Sequence, residues 1–185
     1  PREGHDLHIH GSRLRIEPAS DVRWLRDIYG NSVAIITFNE PADKLHVFSE
    51  IDVDLYDDQP IDCKLDPIAA AFQFQYDANE QVEIMPYRLP SYPHDGAAVR
   101  EWLGDLYKPG QEARTSELLD QLNTQIFKSF QYSHRDEPGV QVPCRTLALG
   151  SGSCRDFAVF MIEAARHWGF AARFVTGYIQ MGEGQ

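Results

Sequence analysis

Cysteine is scarce in this chain: Cys63, Cys144 and Cys154 are the only three among 185 residues. An odd number cannot all pair, and their spacing matches no zinc site, which points to reduced thiols in a cytoplasmic setting. No run of eighteen apolar residues occurs, so no membrane-spanning helix is expected. Basic residues are also few, 17 Lys and Arg against 28 Asp and Glu, for a formal charge of -11. That balance argues against nucleic acid or a membrane surface as partner and speaks mainly for solubility. Phosphate-loop chemistry is missing too. Gly150-Ser151-Gly152-Ser153 lacks the Gly-Lys-Ser/Thr ending and the third glycine of a dinucleotide fingerprint, and Gly152 stands where Gly-x-Ser-x-Gly requires serine. His5, His8 and His10 alternate near the start, but without a nearby cysteine or carboxylate cluster at ligand spacing they read as strand decoration or a frayed terminus. Neither a metal nor a cofactor is expected.

A 43% hydrophobic content over this length is enough to bury a real core, in one large domain or two small ones. Residues 1–57 read as antiparallel strands in a meander. Leu7, Ile9, Leu14 and Ile16 alternate with polar residues, as do Val22, Trp24 and Ile28; Tyr29-Gly30-Asn31-Ser32 is a turn leading to a strand over 33–38. Leu45, Val47, Ile51, Val53 and Leu55 share one face of a last strand, with His46, Glu50, Asp52 and Asp54 on the other, as in a sheet with one wet side. Residues 58–93, punctuated by five prolines, read as a linker with a short strand or extended crossover at Phe72, Phe74 and Tyr76. In the remainder, 94–185, Asp95 is expected to cap a helix carrying Val99, Trp102, Leu103 and Leu106. Thr115 or Ser116 opens another with Leu118, Leu119, Leu122, Ile126, Phe127 and Phe130 on one stripe, and 132–146 reads as a polar loop.

The stretch from Leu149 to Ile179 carries the chemistry. Phe157, Phe160, Met161, Ala164, Ala165 and Trp168 fall on one helical stripe, with Gly169 as its stop and an alternating strand predicted over 172–179. Cys154 lies at the head of that helix, three residues before Phe157, so its thiol is expected on the interior side. Four small residues precede it, allowing close backbone approach and leaving room for an acyl group. Unpaired N–H groups in a first helical turn favour an anion, which is one way of making a thiol reactive. The Cys154 N–H is a candidate oxyanion donor, with Ser153, Tyr132 and Gln141 as further oxyanion or cleft candidates. His167 lies thirteen residues on, roughly 20 Å along the helix, too far to serve as base and read instead as a cation or cap at the helix end. His134 reads as a solvated loop residue.

The run Gly152-Ser153-Cys154-Arg155-Asp156-Phe157-Ala158, followed by the run from Ala164 to Tyr178, resembles the core of bacterial transglutaminase-like proteins, a group described as cysteine proteases. Asp27-Ile28-Tyr29-Gly30-Asn31 is similar to an Asp-aromatic-Gly-Asn turn in the N-terminal β domain of the same family, with Ile28 as one added residue. The resemblance implies an α+β protein: an N-terminal antiparallel β domain and the helical first half of a papain-like, transglutaminase-like core. It also implies a cysteine activated by a histidine and an aspartate on later strands. No histidine follows His167, so the chain reads as a piece of a longer protein, inactive alone, with that histidine and aspartate beyond Gln185. The activity implied is thiol-dependent acyl transfer on a protein or peptide substrate, released to water or to an amine. The alternative is a non-catalytic interaction module on the same fold, with the cysteine merely buried. An uncovered 172–179 strand would favour self-association.

Overall fold

The computed structural model describes residues 4, 7–56 and 65–177, and the chain divides into two compact units, 1–62 and 63–185. Cys63, Tyr178 and Ile179 lie outside the described residues.

In the first unit, β1 (Leu7–Glu17) pairs antiparallel with β4 (His46–Leu55), while β2 (Ser20–Arg26) pairs with β3 (Ser32–Phe38). The expected meander is therefore not what forms: β1 skips its neighbour and meets the last strand. Strand length explains the choice, since β1 and β4 have eleven and ten residues and β2 and β3 seven each, so these partners saturate one another's ladders. Apolar pairs Leu7–Leu55, Ile9–Val53 and Ile16–Val47 fall in register, and His10 meets Asp54 at 2.7 Å. The β2–β3 turn is organised by Asp27, whose carboxylate accepts from the backbone of Tyr29 and Asn31 and from the Asn31 amide, with Gly30 at a positive φ of 74°. Ile28 belongs to that turn and is 91% exposed, not a strand position. The apolar face of β4 is itself open: Val47 is 54% and Leu55 67% exposed, and no described residue of this unit is buried.

The second unit is organised around α5 (Cys154–His167), which packs against α1 (Ala78–Arg88), α2 (Gly96–Leu103), α3 (Thr115–Ser129) and α4 (Pro143–Leu149). Its stripe delivers Phe160, Ala164 and Ala165 to a core completed by Val99, Leu103, Leu122, Ile126, Phe130 and Phe170. Phe160 takes Trp102 and Phe130 edge-on, with ring centroids 4.9 and 5.0 Å away. Phe127, expected on the α3 stripe, is 84% exposed, because five residues after Leu122 the helix has turned it past the core face.

From Leu65 on, the stretch expected as linker is part of this unit. Ala71 bridges Arg114, Phe72 and Phe74 pack against the core, and α1 follows, opened by the Asp77 carboxylate accepting from Asn79 N. The polar sequence of α1 and its internal Pro86 hide it from a periodicity reading. On α5, buried Glu163 accepts from the backbone of Ser91 and Tyr92, and Arg166 donates to Leu89 O and Ala172 O, stapling both flanking segments to the helix. Residues 170–177 form no strand, contrary to the alternation. Their backbone is engaged elsewhere, Ala171 N donating to the Tyr76 hydroxyl and Ala172 N to Tyr87 O, while Ala172 O takes the Arg166 guanidinium.

Candidate functional site

The turn that carries Cys154 is built by a small parallel ladder. β5 (Gln131–Tyr132) lies beside β6 (Ser151–Gly152), Gln131 N donating to Gly150 O and Ser133 N to Gly152 O, both at 2.8 Å. Gly150 ends α4 in the left-handed region at φ 61°, where a side chain would be strained. Gly152 is required for space: a Cβ there would stand 2.8 Å from Gln141 Nε2 and 3.0 Å from Asp156 Cβ. Ser153 then caps α5 in a capping box with Asp156, and Cys154 is the first helical residue.

Asp156 is the hub of this arrangement. It has no exposure, and its Oδ2 accepts from Ser153 N, Ser153 Oγ and Arg135 Nε at 2.8 Å each and from Gln141 Nε2 at 3.0 Å. Its Oδ1 accepts from Gln141 N at 2.7 Å and Arg135 Nη2 at 3.3 Å. Burial alone would raise this carboxyl, but the hydrogen bonds from Gln141 and Ser153 outweigh it and hold the group well below the usual carboxylate range. Arg135 also reaches Glu137 and Gly139 O, so the loop 133–142 folds around its guanidinium.

Cys154 is exposed rather than turned to the interior. At the first residue of a helix the Cα–Cβ bond tilts back beyond the end of the packed cylinder, so the stripe that buries Phe160 two turns on leaves the thiol at the surface. Its position is also one whose N–H has no partner within the helix. Ser153 and Gln141, expected as oxyanion or cleft donors, are instead committed to the scaffold. Ser153 gives both its donors to Asp156, and Gln141, 3% exposed, gives its amide hydrogens to Asp156 and to Ser151 O at 3.2 Å. The reason is electrostatic: a buried carboxylate needs donors, and these are the nearest. Tyr132 pairs by its backbone beside Gly152 and leaves its ring 59% exposed.

The other described thiol, Cys144, is exposed as well but has an acidic neighbour. Asp95 does not cap α2, as its sequence position suggests; its carboxylate accepts from Cys144 N at 3.0 Å, at the start of α4. Its hydrogen bond to the Cys144 thiol, with burial and the Asp95 charge adding, pushes that thiol above its ordinary value. His134 meets Asp136 at 3.0 Å on the exposed loop. His167, at the opposite end of α5, is not a cation cap: burial and then the Arg100 charge push it below the ordinary histidine value, and its Nε2 is buried with no hydrogen-bond partner. A hollow of about 240 Å3 lined by Arg88, Leu89, Arg166 and Gly169 among others also lies at that far end. The signal for Asp156 was present as Ser153-x-x-Asp156 ahead of an apolar run. Arg135, 21 residues away, had none.

Residues 105–184 match the family model of the transglutaminase-like superfamily, and residues 1–54 match that of the bacterial transglutaminase-like N-terminal region. An uncharacterized protein of Mycobacterium tuberculosis (strain H37Rv) and one of Mycobacterium bovis are each 31% identical over 190 residues, covering 97% of this chain and 57% of their own length. Among solved structures, that of a "putative cysteine protease" from Cytophaga hutchinsonii shares the fold, with a TM-score of 0.64 at 17% identity over 90% of this chain and 55% of that one. The chain thus spans somewhat more than half the length of these relatives. Among the described residues, no helix is long and apolar enough to cross a membrane.

Proposed function

This chain belongs to the transglutaminase-like superfamily, and from that premise we propose that Cys154 is the nucleophile of a thiol-dependent acyl-transfer enzyme acting on protein or peptide carboxamides. The Cys154 sulfur, its proton passed to a base, adds to the carbonyl carbon. The C–N bond then breaks, the amine leaves with a proton, and a thioester remains on the enzyme. Water releases a carboxylic acid from it, as in a protease or amidase; an amine releases a new amide, as in a transglutaminase.

The observation that carries this reading is the location of the sulfur: exposed, on the first residue of the central helix, inside the segment that matches the transglutaminase-like core. The Cys154 N–H at the helix mouth suits a developing oxyanion. The reading assigns the base to neither His134, which lies on the exposed loop with no contact to Cys154 among the described hydrogen bonds, nor His167, which sits at the other helix end. The reading draws the base and its orienting acid from the part of the relatives' length that this chain does not cover.

Iodoacetamide labelling followed by peptide mapping tests the assignment. Cys154 is expected to react faster than Cys144, whose thiol the neighbouring Asp95 pushes above its ordinary value, and faster than Cys63. Equal or slower labelling of Cys154 removes the case for a reactive thiol. In a protein extended to the relatives' length, Cys154→Ala should abolish turnover of a peptide amide; retained turnover overturns the role.

A further inference from the structure

Resting on the reading of Cys154 as nucleophile, we propose that Arg135, Gln141 and Asp156 are positioning residues, a buried clamp that locks the loop 133–142 onto the first turn of α5 and so holds the thiol in its reactive setting. None of the three needs to touch substrate.

Three features converge on this. First, a fully buried carboxylate receiving donors both from its own helix turn and from a separate loop is more than a helix cap requires. Ser153 alone completes the capping box, yet Arg135 and Gln141 bring four further hydrogen bonds from a loop fifteen to twenty-one residues away. Second, the loop is exposed at His134, Asp136 and Glu137, while Arg135 and Gln141 turn inward; the side chain of Arg135 is 13% exposed against 98% for Asp136. The loop therefore hangs on α5 by these two residues. Third, the space between loop and turn is closed: Gln141 Nε2 stands where any side chain at position 152 would have to go. The thiol-bearing turn, the β5–β6 ladder and the loop then move together or not at all. An N–H array keeps its orientation toward a sulfur only while the first helical turn is intact, so the clamp acts on reactivity through geometry.

The test uses the 185-residue chain. Cys154 and Cys144 labelling rates by iodoacetamide are read together with hydrogen exchange at the Gln141 and Ser153 amides, well below the melting temperature. Arg135→Met is expected to raise exchange at both amides at least tenfold and to slow Cys154 labelling about two- to fivefold, leaving Cys144 unchanged. Arg135→Lys, which keeps the charge but not the fork, should recover part of the rate. If Arg135→Met does not unfold cooperatively, Gln141→Met carries the same test, since it removes only the side-chain donor. Unchanged Cys154 labelling despite lost amide protection overturns the clamp while leaving the nucleophile assignment standing. A wild-type chain in which Cys154 labels no faster than Cys144 sinks the nucleophile assignment, and with it the clamp, before any variant is made.

Discussion

At position 152 the absence of a side chain is itself a structural element. Gln141 cannot yield to a new methyl group, because its amide is held by Ser151 O and Asp156 within a buried site. Gly152→Ala should therefore cost about 1–3 kcal/mol in urea unfolding, the usual range for overpacking. Gly11→Ala, where an added Cβ meets nothing within 4 Å, serves as a near-neutral control. A loss at Gly152 no larger than at Gly11 would show that the loop gives way. Two histidines respond to pH with opposite sign. The hydrogen bond and charge of Asp54 raise exposed His10, so its small contribution is present in acid and fades as pH rises through its folded value. Burial and Arg100 depress His167 while Glu163 opposes them, so its contribution is present above the unfolded value of 6.5 and is lost as pH falls below it.

At the scale of the element, α5 shows how a stripe is read and where it misleads. Phe160 is fully buried between Trp102 and Phe130, and Phe160→Ala should cost about 3–5 kcal/mol by loss of transfer energy and creation of a cavity. Phe127→Ala on α3 should fall within about 0.5 kcal/mol of wild type, since that ring is already 84% exposed. Chemical denaturation checks both, and a large loss at Phe127 would mean that its ring is covered in solution. The same helix was legible in the sequence from end to end because its partners lie all around it and its periodicity is uninterrupted. The short α4 and the proline-bearing α1 were not, for a helix of seven residues or one of weak amphipathicity leaves little periodic trace.

For the whole molecule, stability against pH joins these local terms. Asp156 stays ionised well below the usual carboxylate range, so it stabilises the fold above the unfolded value of 3.8 and that support is withdrawn as pH falls below it. Thermal melts of the second unit's transition should hold near neutrality, soften below pH 6.5 as His167 is charged on unfolding, and drop again below pH 4. In His167→Gln the first step should disappear and the second remain; persistence of the first step would assign it to another group. Among the described residues of the N-terminal unit none is buried, and Val47 and Leu55 are largely exposed, so core substitutions such as Phe160→Ala are read on the second unit's transition.

What the amino-acid order determined alone is what depends on near neighbours: the alternation of β1 and β4, the Asp27 turn, the stripe of α5, and a cysteine at the head of that helix behind small residues. The tertiary structure alone decided that β1 meets β4, that Asp95 serves α4 rather than α2, that the Cys154 thiol faces outward, and that Arg135 crosses 21 residues to Asp156. The reason is that a donor is drawn to whichever carboxylate folding strips of water. Which carboxylate that is depends on packing between distant segments, and no spacing along the chain encodes it.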